Sequence, residues 1–334
     1  MKAMVYTKYG PPDVLGLMEV EKPAPRDDEI LLKVRAASVN SADCHLLRGK
    51  PYIARLQLGL RKPKDRILGC DVAGQVEAVG KNVTMLQPGD EVFGSPFMRG
   101  YGAFAECVCV PEDRLAPKPA TLSFEQAATV PLAASTALQG LRDHGRIESG
   151  HKVLIIGASG GVGTFAVQIA RSFDAEVTGV CGTRNVDMVR SLGADHVIDY
   201  TREDFTQSGQ KYNLIFDLVG NRSLADCRRA LTPRGTLILI GHDFGESDGR
   251  WIGPVDRLIK ALVSSPFVSQ KMASFTVKPN KEDLQFLKRL IEAGTVTPVI
   301  DRTYPLSDTP EAIRYLEEGH ARGKVVICVP GEGA

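Results

Sequence analysis

The sequence predicts an α/β protein with two domains, one a β-rich barrel and the other a doubly wound parallel sheet. The chain has 334 residues, which is more than one ordinary hydrophobic core accommodates. Its first third contains short, partly alternating apolar segments separated by Pro and Gly. Its middle part alternates continuous apolar strands with helical segments, which is typical of βαβ units.

The composition favours a cytoplasmic protein that binds a small molecule. The formal net charge is +1, without the basic excess that nucleic-acid binders need. The N-terminus has no basic segment followed by an apolar one, and no apolar run approaches the length of a membrane span. The seven cysteines are odd in number and their spacing suggests no disulfide framework, which indicates reduced thiols.

The two ends of the chain are predicted to form one discontinuous domain around an inserted sheet domain. Strands are expected at residues 30–36, 72–80, 91–94 and 103–110, and together they indicate an irregular antiparallel barrel. The tail is expected to add strands at 272–278 and 324–329 and helices at 281–293 and 310–319. The predicted domains are therefore 1–122 with 266–334, and 123–265.

The inserted domain is predicted to begin with a helix and to continue as alternating strands and helices. Ser123 and Gln126 resemble a capping box, and the helical stretch that follows runs to Leu141 with a break near Pro131. Apolar strands are expected at residues 153–156, 176–180, 196–199, 214–217 and 236–240, with a helix at 186–192. This alternation favours a doubly wound parallel sheet.

A glycine-rich turn between a strand and a helix predicts a dinucleotide site. The pattern is Gly157-x-x-Gly160-Gly161-x-Gly163. Glycines permit the tight turn and the close approach of the backbone to a pyrophosphate, whose charge meets the free N–H groups of the helix N-terminus. A lone glycine pattern is weak, but here the preceding strand and the following helix are both expected. A helix-capping turn without a ligand is the alternative interpretation.

The loop after the second strand of this domain favours NADPH over NADH. An acidic residue there would hold the ribose 2′-OH of NAD, whereas this loop carries Cys181, Thr183 and Arg184 and no carboxylate. Thr183 can donate a hydrogen bond to a 2′-phosphate, and Arg184 can form a charge-assisted one. The alternative for Arg184 is a solvated residue at a helix start.

Residues 150–163, continued to Gln168 and Arg171, resemble the signature of the quinone oxidoreductase/ζ-crystallin branch of the medium-chain dehydrogenase/reductase superfamily. The resemblance extends over nearly the whole chain, through residues 37–40, 69–74, 87–92, 102–106 and 323–326. Residues 280–324 resemble the subgroup related to reticulon-4-interacting protein. The resemblance implies a GroES-like barrel domain and a Rossmann domain, with the active site in the cleft between them.

The resemblance also implies the residues that contact the cofactor. Asn40 and Thr136 are expected near the nicotinamide, Gly160 to Val162 at the pyrophosphate, and Thr183 with Tyr200 at the 2′-phosphate. With the loop residues above, the predicted cofactor-binding set is Asn40, Thr136, Ser159, Gly160, Gly161, Val162, Cys181, Thr183, Arg184, Tyr200, Val219, Ile240, Gly241, His242, Val277 and Lys278.

The ligand positions of the zinc alcohol dehydrogenases in the same superfamily are not preserved, so no metal is expected. The first ligand position is Asn40, the Gly-His-Glu motif is replaced by Gly69-Cys70-Asp71, and no four-cysteine lobe follows Phe93. Catalytic zinc needs about three protein ligands and one open position. Cys44, His45 and Cys70 match no zinc spacing, and buried free cysteine is the simpler interpretation of the thiols.

Without a Lewis acid, the chemistry should suit substrates that accept hydride readily, namely quinones and α,β-unsaturated carbonyls. The candidate catalytic donors are Asn40, His45 and Tyr52, and Asp43 is a candidate for orienting a neighbour. His45 stands where the family usually has an aromatic residue. The alternatives are a rim position for Tyr52, a structural role for His45 and a cap role for Asp43.

Two other functions remain open from the sequence. One is a zinc-type alcohol dehydrogenase, and the other is a low-turnover NADPH-binding sensor or structural protein, which would need the same glycine turn. The basic and apolar segment 50–64 is proposed as a flap over the substrate mouth. Relatives often pair through their Rossmann domains, so a homodimer is possible, although no dimer edge is identified.

Overall fold

The computed structural model describes residues 1–98, 100–240 and 269–329. The chain divides into two units by its internal contacts. The first unit comprises Met1–Ser135, Lys278–Gly294 and Pro298–Ala334, and the second comprises Thr136–Val277 and Thr295–Thr297. The first unit is therefore assembled from both ends of the chain, as the sequence predicts.

The described strands and helices alternate in the second unit and are mostly strands in the first. In chain order, the strands are β1 (Lys2–Val5), β2 (Gly16–Glu19), β3 (Glu29–Val39), β4 (Asp71–Val79), β5 (Glu91–Gly94), β6 (Cys107–Pro111), β7 (Leu115–Pro117), β8 (Lys152–Ile156), β9 (Glu176–Cys181), β10 (His196–Asp199), β11 (Tyr212–Asp217), β12 (Leu231–Leu239), β13 (Lys271–Ala273), β14 (Ile300–Pro305) and β15 (Lys324–Cys328). The helices are α1 (Ser41–Arg48), α2 (Arg55–Leu58), α3 (Phe124–Ala128), α4 (Pro131–Leu138), α5 (Gly161–Ser172), α6 (Val186–Ser191), α7 (Leu224–Ala230), α8 (Lys281–Glu292) and α9 (Thr309–Glu317).

The first unit is built on a seven-stranded sheet in the order β14-β15-β3-β4-β5-β7, with β6 also paired to β3. Its pairs are antiparallel except that β14 and β15 run parallel. The register of β3 places Ser38 opposite Asp71 and Val39 opposite Val325. This register brings polar residues from three distant parts of the chain to one end of β3.

The second unit contains a six-stranded sheet in the order β10-β9-β8-β11-β12-β13. All of its pairs are parallel. The three strands that come first in the chain run outwards from β8 to β10, and the next three run outwards on its other side, which is the doubly wound topology. The fully buried run Val153–Ile155 in β8 fits a central parallel strand covered on both faces.

Several predicted elements are confirmed, and two strands are corrected. Ser123 and Gln126 form the expected capping box, and the helix breaks before Pro131. The strand predicted at 103–110 begins only at Cys107, because the N–H of Phe104 is donated to the carbonyl of Leu68 in an irregular segment. The strand predicted at 272–278 ends at Ala273, and it extends the parallel sheet beside β12.

The two units differ from the predicted domains at both junctions. Residues 123–135 belong to the first unit, where the backbone N–H of Leu132 donates to Asp71 Oδ1 at 2.8 Å. The strand β13 belongs to the second unit because its partner is β12. Within residues 1–98, 100–240 and 269–329, no helix is both long and apolar enough to cross a bilayer.

Candidate cofactor and active site

The glycine turn lies at the carboxyl end of β8, between this strand and α5. The helix begins at Gly161, and its N-cap residue, Gly160, provides no side-chain hydrogen bond. The first N–H groups of a helix have no acceptor inside the helix, so those of α5 are available to an anion. In a parallel doubly wound sheet, the carboxyl end of the central strand is where ligands bind.

Two glycines of the turn, Gly157 and Gly163, are required by the fold, whereas Gly160 is not. Gly157 has φ +86°, in the left-handed region that favours glycine. A Cβ on Gly163 would lie 2.1 Å from the carbonyl oxygen of Gly157, so α5 packs against the turn only with glycine there. A Cβ on Gly160 would meet nothing closer than 3.5 Å. The protein itself therefore does not require glycine at Gly160, which leaves that space open for a ligand.

Neighbouring loops hold the turn in place. Asn185 Nδ2 donates to Ser159 Oγ at 3.0 Å, which ties the loop after β9 to the turn. Val219 follows β11 and donates its N–H to Asp217 Oδ1 at 3.1 Å. Its side chain faces Gly157, where an added Cβ would lie 2.8 Å from Val219 Cγ2. Ser159 and Val219 therefore lie at the same turn.

The loop after β9 contacts a carboxylate that its local sequence does not reveal. Asp199, the last residue of β10, is the register partner of Cys181. Thr183 Oγ1 donates to Asp199 Oδ2 at 2.6 Å, and this bond holds the pKa of Asp199 below its ordinary value. The inference that no carboxylate stands at this loop is therefore corrected, because parallel pairing brings one in from the next strand.

The remaining residues predicted to bind cofactor are spread over both units. Cys181 is buried, which raises the pKa of its thiol to about 11, whereas Tyr200 is 57% exposed beside Gly182. Ile240 donates its N–H to the carbonyl of Asp217 at 3.0 Å. Among the other predicted cofactor-binding residues, Arg184 and Lys278 are exposed, and Thr136 and Val277 are buried. Gly241 and His242 lie outside the described residues.

A buried polar cluster occupies the end of β3 in the first unit. Asp71 Oδ2 accepts from Ser38 Oγ at 2.7 Å and from Asn40 Nδ2 at 2.9 Å. Lys324 Nζ lies 3.5 Å from the same oxygen, and its side chain is 3% exposed. Asp71 itself is fully buried. Burial lowers the pKa of Lys324, while the Asp71 carboxylate opposes that shift.

The amide of Asn40 is engaged by this cluster on both of its polar atoms. Its Nδ2 donates to the Ser38 carbonyl at 3.2 Å and to Asp71, and its Oδ1 accepts from Lys324 Nζ. An amide nitrogen has two hydrogens to donate. A role for Asn40 as a donor to substrate therefore requires one of these bonds to break.

Asp43 caps α1 and contacts the loop before β4. Its Oδ2 accepts from the Asn40 N–H at 2.9 Å, and its Oδ1 accepts from the Gly69 N–H at 3.1 Å and Cys70 Sγ at 3.2 Å. Burial raises the pKa of Asp43 to about 6, and these hydrogen bonds oppose the shift. Burial also raises the pKa of the Cys70 thiol. The cap role suggested by the sequence is therefore observed, and a role in orienting a neighbour stays a prediction.

The other candidate donors lie on and after α1. His45 is half-buried on this helix, and Tyr52 begins the short turn that follows it. The guanidinium of Arg55 lies 4.4 Å from the ring centroid of Tyr9 and 4.8 Å from that of Tyr52. Arg55 Nε also donates to the Gly49 carbonyl at 2.8 Å. Segment 50–64 is therefore held to its own unit by Arg55.

Ligand sets for a metal are absent from the described part of the chain. No three His, Cys, Asp or Glu side chains there group as metal ligands. All seven cysteines are described and free, and Cys44 and Cys70 are buried.

Three residues at the two clusters were not recognised as site residues from the sequence. Asp199 could have been found from the predicted strand 196–199, since neighbouring parallel strands end at the same sheet edge. Asp71 and Lys324 could not have been paired from spacing, because they meet only through the pairing of β4 and β15 with β3.

Two family models match the chain. The alcohol dehydrogenase GroES-like domain matches residues 26–120, and the zinc-binding dehydrogenase matches residues 192–327. The first match includes β3 to β7, and the second begins before β10 and ends within β15.

Curated relatives and solved structures match nearly the whole chain. The chloroplastic NADPH-dependent alkenal/one oxidoreductase of Arabidopsis thaliana is 35% identical, over 98% of this chain and 79% of the relative. The mitochondrial NAD(P)H oxidoreductase RTN4IP1 of Mus musculus is 34% identical, over 98% and 89%. The quinone oxidoreductase of Coxiella burnetii is 31% identical with a TM-score of 0.86, over 99% of both chains. The chain therefore belongs to the medium-chain dehydrogenase/reductase superfamily, in its quinone oxidoreductase/ζ-crystallin branch.

Proposed function

We propose that this protein reduces quinones or α,β-unsaturated carbonyls with NADPH, by hydride transfer without zinc. The observation that carries the proposal is the glycine turn, whose Gly160 leaves open space beside the N-terminus of α5. The named activities of the relatives, on alkenals or enones and on quinones, support the substrate class. NADPH supplies the hydride when bound.

The residues proposed to hold the cofactor have distinct tasks. Ser159, Gly160, Gly161 and Val162 present backbone groups to the pyrophosphate at the start of α5. Thr183, Arg184 and Tyr200 are the proposed neighbours of the 2′-phosphate. Of these, Arg184 contributes the positive charge. Gly241 and His242, with Ile240, remain proposed contacts of the nicotinamide half.

Zinc independence is supported by ligand arithmetic in the described residues. A catalytic zinc site needs about three protein ligands, and no such group occurs there. The position of the first zinc ligand in related alcohol dehydrogenases is Asn40, whose amide is engaged by Asp71 and Lys324. Substrates that accept hydride without a Lewis acid are the consistent choice.

The substrate side of the proposal rests on Asn40, His45 and Tyr52 as hydrogen-bond donors for the developing oxyanion. Such donors act by electrostatic stabilisation of charge that forms in the transition state. Tyr52 is the candidate whose surroundings are best defined, because Arg55 fixes its ring. A homodimer and a cytoplasmic location belong to the same proposal, and sedimentation and cell fractionation test them.

The experiment is NADPH and NADH oxidation against ortho- and para-quinones, alkenals and enones, with and without a chelator, together with metal analysis. We expect chelator-resistant turnover with NADPH. Stoichiometric zinc with chelator-sensitive alcohol oxidation would establish a zinc alcohol dehydrogenase instead. Tight NADPH binding without turnover on any substrate would indicate a sensor or structural protein.

A pair of glycine variants isolates the cofactor site. Gly160→Ala adds a methyl group that the protein accommodates, since its nearest contact is 3.5 Å away. Gly16→Ala is the matched control, because its added Cβ meets nothing within 4 Å. Both variants should keep the wild-type melting temperature. Only Gly160→Ala should weaken NADPH binding, by about tenfold or more, and equal binding by both variants would count against the proposed site.

A further inference from the structure

A carboxylate lies at the sheet edge where the adenosine ribose of the proposed cofactor belongs. Asp199 ends β10 directly opposite Cys181, the last residue of β9. The loop that follows the second strand of a doubly wound sheet receives the adenosine ribose, and its side chains distinguish a 2′-hydroxyl from a 2′-phosphate. Asp199 therefore lies beside the group that separates NADH from NADPH.

The carboxylate is held firmly by two threonines. Asp199 Oδ2 accepts from Thr183 Oγ1 at 2.6 Å, and Oδ1 accepts from Thr201 Oγ1 at 2.8 Å and from the Thr201 N–H at 3.0 Å. Arg202 Nε lies 3.5 Å from Oδ2 on a side chain that is 72% exposed. Asp199 is 6% exposed, whereas both threonines are exposed. Thr183, rather than Asp199, is therefore the side chain that solvent and a ligand contact.

These hydrogen bonds determine what Thr183 offers to a ligand. A hydroxyl has one hydrogen and two lone pairs. Thr183 Oγ1 donates its hydrogen to Asp199 Oδ2 and lies 3.0 Å from Thr201 Oγ1, which donates to Asp199 Oδ1. The outward face of Oγ1 is then an acceptor. A ribose 2′-hydroxyl can donate to it, but a phosphate dianion brings only acceptor oxygens. The negative charge of Asp199 also opposes a phosphate placed beside Thr183.

We propose that Asp199 is a specificity-determining residue, which limits the preference for NADPH and allows the same site to bind NADH. This inference rests on the proposed function, because it refines the cofactor site described there. The preference for NADPH over NADH is then a balance between the charge of Arg184, after β9, and the charge of Asp199, at the end of β10. Arg184 attracts the 2′-phosphate, and Asp199, acting through Thr183, disfavours it.

The test compares two fragments of the cofactors that differ only at the 2′ position. The full chain is titrated calorimetrically with 2′,5′-ADP and with 5′-ADP, which contain no nicotinamide and require no turnover. Asp199→Asn should bind 2′,5′-ADP about tenfold more tightly than wild type, since the charge is removed and the Thr183 hydrogen is freed. Binding of 5′-ADP should stay the same or weaken.

Asp204→Asn is the matched control. Asp204 accepts from the N–H and hydroxyl of Thr206 at 3.0 and 2.9 Å and pairs with Arg222 at 3.3 Å. It thus repeats the local turn of Asp199 without contacting Thr183. This variant should leave the ratio of the two affinities unchanged. In a Thr183→Val background, the gain from Asp199→Asn should shrink, because the hydrogen that it frees is no longer present.

The affinities of the two fragments distinguish failure of this inference from failure of the proposed cofactor site. If Asp199 had a purely structural role, Asp199→Asn would weaken the binding of both fragments equally. An unchanged ratio of the two affinities in Asp199→Asn would overturn this inference but not the proposed cofactor site. If wild-type protein bound neither fragment, the proposed cofactor site would fail, and the inference would fail with it. A shift of the ratio towards 5′-ADP would reverse the assigned sign and would also overturn the inference.

Discussion

Replacing Lys324 with methionine is expected to destabilise the first unit by about 3–5 kcal/mol, because it leaves a buried carboxylate without its cation. The side chains of Lys324 and Asp71 are 3% and 0% exposed, and Nζ lies 3.5 Å from Oδ2. Lys324 Nζ also donates to the Val39 carbonyl at 3.2 Å and to Asn40 Oδ1. Methionine therefore also removes a donor from two buried oxygens.

The remaining contacts of Asp71 place the effect in the lower half of that range. The carboxylate keeps hydrogen bonds from Ser38 and Asn40 at 2.7 and 2.9 Å and from the Leu132 N–H at 2.8 Å. These three donors offset part of the lost attraction, so about 3 kcal/mol is expected. For a domain of this size, that loss corresponds to a fall of roughly 6–12 °C in melting temperature.

Lys81→Met is the matched control in the same unit. Lys81 Nζ lies 2.9 Å from Asp27 Oδ2, and the two side chains are 73% and 58% exposed. The exposed pair is the shorter of the two, yet its removal should cost less than about 1 kcal/mol, because water screens it. The comparison therefore tests whether burial, rather than distance, determines the effect.

The assay is urea denaturation followed by circular dichroism, on the two single variants and on Lys324→Met combined with Asp71→Asn. The double variant should lose less stability than the sum of its single changes, since the second change removes the unpaired charge. If Lys324→Met is no more destabilising than Lys81→Met, or if the double variant is additive, the reasoning is refuted.

Gly163→Ala should unfold at lower temperature and lose dinucleotide binding, because its Cβ would overlap the Gly157 carbonyl at 2.1 Å; a wild-type melting curve would contradict this expectation. Burial raises the pKa of Asp43 from 3.8 to about 6, so its contribution to stability is present below pH 3.8 and is lost as the pH rises through 6. Relative to Asp43→Asn, wild type should therefore lose about 3 kcal/mol of unfolding free energy as the pH rises between these values. Urea titrations of both proteins at pH 4 and pH 7 measure this loss, and an equal difference between the two proteins at both pH values would contradict the reasoning. Arg55→Ala should speed proteolysis of segment 50–64 without changing the melting temperature, because Arg55 contacts the rings of Tyr9 and Tyr52. Mass spectrometry of the early fragments measures the cleavage, and an unchanged cleavage rate would show that Arg55 does not hold the segment.

Much of the fold could be predicted from local patterns. The apolar run of β8, the glycines after it and the capping box at Ser123 are each determined by a few consecutive residues, and the structure contains all three. The strand β13 was placed in the wrong domain, because three residues carry too little pattern to show which sheet they join. Only its pairing with β12 decides the matter.

The site was less predictable, because its important contacts join distant residues. Thr183 is predicted to donate to a 2′-phosphate, but in the structure it donates to Asp199 on another strand. Asn40 is predicted as a candidate donor to substrate, whereas Lys324 and Asp71 occupy its amide from positions far along the chain. The contacts of Asn40 have no signal in spacing, because they depend on strand register, whereas Asp199 could have been placed at the sheet edge from the predicted strand 196–199.

The pairing of β15 with β3 in the first sheet has a consequence for biosynthesis. The carboxyl-terminal half of β3 is paired on this side by Val325 to Cys328, which leave the ribosome long after β3. Until then, a nascent chain carries an open strand edge and an acidic Asp71 whose lysine has not yet been translated. The second unit is nearly continuous in sequence and can fold earlier. The first unit therefore depends on β15 for its completion, and a chain truncated before β15 should be directed to chaperones or proteases.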